Sequence, residues 1–143
     1  MGQVYLDANE EAKRRGDRRV GTEHIALALL RDPDSSTARA LGVSLSSART
    51  ALEDLDRRAL AALGIDTSPV GPVLPGREKD RLRLTPAGRE VFTGLRRTAA
   101  GERLGVKHVL VALLARRRPD PAAELFAALG VDAAQVQARL DQS

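Results

Sequence analysis

The residues with chemistry to offer are few, and they come in matched places. His24 and His108 each follow a glycine by three residues (Gly21 and Gly105), and each opens an apolar run. An imidazole can serve as a metal ligand or a general base. Here each histidine stands without a second histidine or an evident carboxylate partner, and the chain has no cysteine to complete a metal site or supply a thiolate. The reading that follows is a ring packed near a helix start, its N–H satisfied by backbone. Glu23, beside His24, is either a recognition carboxylate or a first-turn acid that suits the positive end of a helix dipole. Its counterpart beside His108 is Lys107, of opposite charge. Thr22 and Thr85 each precede a helical stretch as expected N-caps. Ser35, Ser36, Ser46 and Ser47 fall at turns and helix starts, outside any Gly-x-Ser-x-Gly elbow. No nucleophile–base pair emerges, nor does a Gly-rich phosphate loop. The expectation is a protein without catalytic residues, metal or cofactor.

The matched histidines belong to a longer repeat. Val20-Gly21-Thr22-Glu23-His24-Ile25-Ala26-Leu27-Ala28-Leu29-Leu30 parallels Leu104-Gly105-Val106-Lys107-His108-Val109-Leu110-Val111-Ala112-Leu113-Leu114, 84 residues later. Ala40-Leu41-Gly42-Val43-Ser44 parallels Ala128-Leu129-Gly130-Val131-Asp132 at an offset of 88, so the second copy has four extra residues between the matches. Two matches in the same order indicate a duplicated unit.

Each copy reads as four helices. In the first, Val4 to Arg15 ends at Gly16, and Thr22 caps a helix from Glu23 to about Arg31 that is apolar nearly all round and so central and buried. A short helix follows from Ser35 to Leu41. Ser44 then caps a longer one to Leu63, whose apolar residues recur at steps of three and four. Residues 65–83, with Pro69, Gly71, Pro72, Pro75 and Gly76, form a linker. In the second copy a helix runs from Thr85-Pro86 to about Ala100. The second buried helix spans Val106 to Arg116, a short helix ends near Leu129, and Asp132 caps the last, to about Leu140. No strand is expected. The fold class is therefore all-α: a pseudo-two-fold double repeat of about eight helices, in one domain over 1–143, with copies at about 1–64 and 84–143.

Composition agrees. Aromatics make up 2% of the chain, leaving Leu, Val and Ala to fill the core, and Ala and Leu are strong helix formers. The net charge of +4 rests mostly on arginine, interleaved with 19 acidic residues. That modest excess makes nucleic acid an unlikely partner, but keeps a basic helical nucleic-acid-binding regulator as the alternative function. No apolar run nears the roughly 20 residues that span a bilayer, and Met1 to Asp17 holds no signal-peptide core. A cytoplasmic protein without membrane contact is expected.

The string Val20-Gly21-Thr22-Glu23-His24, with its apolar helix and later Leu41-Gly42-Val43, resembles the Clp N-terminal repeat. So does Leu84-Thr85-Pro86, leading to Leu104-Gly105, His108 and Leu129-Gly130-Val131-Asp132. The resemblance covers nearly the whole chain and is closest to the ClpC-type unfoldase N-terminal domain. It implies a docking module that recruits substrates and adaptors to an ATP-driven unfoldase. With no ATPase module present, and a complete last helix followed by Asp141-Gln142-Ser143, a free-standing relative is favoured over a cut-out domain. The implied partners are proteins or peptides: a Clp ATPase, an adaptor or a substrate.

The resemblance also implies phosphoarginine binding at two related sites, each formed by helix starts, with a carboxylate on the guanidinium and free N–H groups on the phosphate. Thr22, Glu23, Thr85 and Lys107 are the matching positions. The first copy keeps Thr22 and Glu23 but lacks about ten residues that open the family's first helix. The second keeps Thr85, but Val106-Lys107 replaces Thr-Glu, and Lys107 cannot pair with a guanidinium. One phosphoarginine site at most is expected, with Lys107 left to hold a plain anion. Leu84 replaces the second-copy aromatic over which family members bind cyclic-peptide antibiotics. The functional expectation is binding without catalysis, as substrate or adaptor recognition or as a decoy of the unfoldase's own N-terminal domain.

Overall fold

The computed structural model describes residues 2–64 and 81–142. The expected linker falls largely outside them, at 65–80. In the first copy, α1 spans Gly2–Arg15, α2 Thr22–Ala28, α3 Ser36–Leu41 and α4 Leu45–Ala62. In the second, α5 spans Pro86–Thr93, α6 Leu95–Ala99, α7 Val106–Leu114, α8 Pro121–Leu129 and α9 Ala133–Gln142. The protein is all-α in class, with nine helices among the described residues.

The copies are built alike where their sequences match. Ser44 accepts from the Ser47 amide at the start of α4, and Asp132 accepts from the Ala134 amide at the start of α9. Gly42 and Gly130, which close α3 and α8, share φ values of +69° and +70°, the left-handed conformation that glycine adopts freely. Ala48 and Leu52 of α4 and Val136 and Leu140 of α9 are equivalent and all buried.

The halves interlock rather than stack. α4 packs on α8 and α9 on α3, so the last helix of each copy lies against the short helix of the other. α2 also meets α8, and α7 meets α3, while α2 and α7 touch at the centre. Ile25, Leu27, Val109, Leu110 and Leu113 are fully enclosed there, with Leu125 and Val136 around them.

Four expectations need correction. The helix after Thr85 is divided at Gly94, which ends α5 and opens α6; glycine there weakens the helix. A short parallel bridge does form, β1 (Arg19–Val20) against β2 (Arg83–Leu84). Residues 25–30 are buried throughout, but in α7 Val111, Ala112 and Leu114 are only half-buried, so the second central helix is two-sided. And Thr22 is not an N-cap: Gly21 takes that position, in extended conformation. The Thr22 hydroxyl instead donates to Asp120 Oδ2 at 2.8 Å and accepts from the Ala122 amide at 3.2 Å, capping α8 of the other copy.

Candidate helix-start recognition site

The bridge between the copies positions the site. Val20 pairs with Leu84, and the Thr85 amide donates to the Val20 carbonyl at 2.9 Å. The start of α2 therefore lies beside the start of α5. Segment 82–85 is pinned from α1: Tyr5 Oη donates to the Leu82 carbonyl at 2.6 Å, and the Leu82 amide donates to Asn9 Oδ1 at 2.8 Å. Gly88 permits the close approach, since a Cβ there would stand 3.1 Å from the Val20 carbonyl oxygen. Thr85 does cap α5, accepting from the Gly88 amide at 3.0 Å.

At the start of α2 the His24 ring turns back on its own helix. Nδ1 accepts from the Gly21 amide at 2.9 Å, which fixes the proton on Nε2, and Nε2 donates to Asp17 Oδ2 at 2.7 Å. Burial alone would raise the Asp17 pKa, but the His24 hydrogen bond and the Arg15 ion pair outweigh it and hold the carboxyl below its usual range. Arg15 extends the chain of contacts to Asp56 on α4. The expectation that backbone satisfies the ring N–H is thus half right: backbone occupies the other nitrogen, and a carboxylate takes the N–H.

The second copy repeats the device. His108 Nδ1 accepts from the Gly105 amide at 2.9 Å, with Glu102 Oε2 3.4 Å from Nε2. Asp17 and Glu102 lie seven and six residues before their histidines, a recurrence visible in the sequence once the histidines are aligned. These two carboxylates are partners of the histidines that the sequence reading missed.

Glu23 is the most unusual carboxylate of the group. It folds back over its own helix start, into space that only the absent Gly21 side chain leaves: a Cβ at position 21 would meet Glu23 Oε1 at 1.8 Å. Burial pushes its pKa up, with Asp17 adding to the effect against His24, its own backbone amide and Arg15.

Among the four candidates, then, Thr22, Glu23 and Thr85 are gathered where α2 and α5 begin, with the Glu23 carboxylate turned onto its own helix start. Thr22 is 1% exposed, its hydroxyl spent on Asp120 and Ala122. Lys107 stands apart in the second copy, at the start of α7, with its Nζ 3.0 Å from Glu102 Oε2. Around it Leu104 and Val106 are exposed. A groove of about 610 Å³ between α5–α6 and α7 is lined by Arg97, Thr98, Ala112 and Arg116, with no lining residue from α2. Among the described residues no three His, Asp or Glu side chains group as a metal site.

A family model described as the Clp repeat (R) N-terminal domain matches residues 1–93, the whole first copy and the opening helix of the second. Among solved structures, the N-terminal domain of the caseinolytic protease-associated chaperone ClpD from Arabidopsis thaliana has a similar fold. Its TM-score is 0.67 at 18% identity, over 98% of this chain and 88% of that one. No curated protein matches in sequence. The duplicated helices, the interlocked halves, the paired Gly-x-x-His helix starts and the family match agree: the chain belongs to the Clp repeat N-terminal domain family.

Proposed function

We propose that this protein is a protein- or peptide-binding module of Clp-dependent proteolysis, acting by recognition and not by catalysis. Membership in the family supports an interaction role. The observation that carries the reading further is the convergence of the α2 and α5 starts on the Val20–Leu84 bridge, with the Glu23 carboxylate held there against the cost of burial. That carboxylate suits a cationic group on the partner, a guanidinium above all, because a planar fork can take two hydrogen bonds from it. A single phosphoarginine site at this place is consistent with the arrangement. The second copy cannot match it, since Lys107 occupies the equivalent position and is paired with Glu102.

The roles open to such a module are delivery of substrates, competition with an unfoldase's own N-terminal domain, or sequestration of a ligand directed at it. Capture from a native lysate tests the common premise. A Clp-type ATPase, its adaptors or its substrates should be retained by the parent chain and reduced by Glu23→Ala. Retention of nucleic acid with a steep salt dependence, and of none of these proteins, would instead favour the basic regulator.

A further inference from the structure

The bridge that joins the copies presents a second feature that the helix starts do not use. Arg19 and Arg83 are direct register partners in the parallel pair. Because neighbouring strands run about 4.8 Å apart and registered side chains share a face, the two arginines project side by side. The alternate residues, Val20 and Leu84, turn inward: Val20 is fully buried and Leu84 half-buried. Arg81 lies two residues before Arg83, and Arg18 directly precedes Arg19. All four are exposed.

None of the four makes an ion pair or a side-chain hydrogen bond among the described residues, in contrast to Arg15, Arg31, Arg49, Arg57, Arg116 and Arg118. Among the described residues, the nearest carboxylates in sequence are committed elsewhere, Asp17 to His24 and Arg15, and Glu23 to its own helix start. Like charges placed directly opposite one another in a strand pair destabilise it. The ledge is nonetheless held rigidly, by Tyr5 and Asn9 on the Leu82 backbone. A preorganised cationic surface, uncompensated among the described residues, loses little freedom when an anion arrives.

We propose that the Arg18–Arg19 and Arg81–Arg83 ledge docks an acidic segment of a protein partner, with adjacent Asp or Glu carboxylates taken by the paired guanidinium groups. This deepens the protein-binding reading and rests on it. The ledge spans a two-residue bridge, which fits a short acidic run. The partly buried Glu23 beyond it repels a continuous polyanion such as a nucleic acid. The partner would therefore lay its acidic residues over the ledge and a cationic group at Glu23, a pattern with a defined polarity.

The test uses the full chain and a short fluorescent peptide bearing an Asp-Glu run, read by anisotropy. The control peptide carries Asn and Gln instead, and a single-stranded oligonucleotide serves as competitor. The acidic peptide should bind, its affinity falling about tenfold or more in the Arg19→Ala/Arg83→Ala variant. The melting temperature of that variant should hold or rise, because repulsion is relieved. Equal binding of the Asn/Gln peptide, equal binding by the variant, or tighter binding of the oligonucleotide through the same arginines would overturn the proposal. The two readings thus fail separately: peptide binding can persist when no Clp-related protein is captured, and capture can persist when the peptide does not bind.

Discussion

At the scale of single residues, the two histidines show how a group with catalytic potential becomes structural. Once Nδ1 accepts the Gly21 amide, the ring aims its Nε2–H at Asp17, and it ties a helix start to the preceding loop. Asp17 and Glu23 should then respond to pH in opposite senses. Asp17, with its pKa depressed in the folded state, adds stability above the usual carboxylate range and loses it as pH falls through the folded pKa. Asp17→Asn should therefore cost about 1 kcal/mol at neutral pH, a small figure because the carboxylate is partly solvated, and the cost should vanish in acid. Glu23, with its pKa raised, is less costly to the fold below its unfolded value and more so as pH rises through the folded one. Glu23→Gln should leave stability unchanged or slightly raised at neutral pH, a difference that disappears in acid. Urea unfolding at both pH values measures the two variants. Backbone conformation offers a separate test. Ala100 ends α6 with φ of +49°, in the left-handed region where Gly16 ends α1 with φ of +78°. Ala100→Gly should stabilise by about 0.5–1 kcal/mol in thermal or urea unfolding, as side-chain strain is removed.

Elements were largely legible in the sequence because their ends are chemically marked. Ser44, Thr85 and Asp132 cap as their types suggest, and Gly42 and Gly130 close helices in both copies. The failures share a physical cause, which is tertiary partnership. Thr22 has the sequence of an N-cap, yet its hydroxyl is claimed by α8, some hundred residues on, so local propensity gave way to a contact that no local pattern announces. The β1–β2 bridge was invisible for the same reason: two residues a side are too few to show alternation. The carboxylate partners of the histidines escaped because each lies in a loop without periodicity. Of the candidate positions, Glu23 and Thr85 came from the family resemblance, Thr85 also from its place before Pro86, whereas Arg19 and Arg83 gain meaning only from register. Thr22→Val should cost about 1–2 kcal/mol, since it leaves the Ala122 amide and Asp120 without that hydroxyl. The loss should appear as faster amide exchange at the start of α8, with α2 little changed.

At the scale of the molecule, the duplicated unit is not an independent one. Each copy surrenders its last helix to the other, α4 to α8 and α9 to α3, and Arg139 of α9 donates to the Ala40 carbonyl of α3 at 2.8 Å. Residues 1–64 and 84–143 produced separately should therefore each lack a cooperative thermal transition, and should regain one on mixing if they associate. A sharp transition in either half alone would show that the core divides between the copies. Interlocking also explains how one domain can carry unlike surfaces. The shared core fixes both helix-start regions, so their exposed residues are free to diverge: Glu23 and the arginine ledge on one side, Lys107 with exposed Leu104 and Val106 on the other.

The central claim is that partners dock where α2 and α5 begin. Hydrogen–deuterium exchange of the chain alone and with a protein captured from lysate reads this directly. Binding should slow exchange at residues 19–25 and 82–89 and leave 104–109 unchanged. Slowed exchange confined to the start of α7, or to the groove between α6 and α7, would place the docking surface elsewhere and contradict the account.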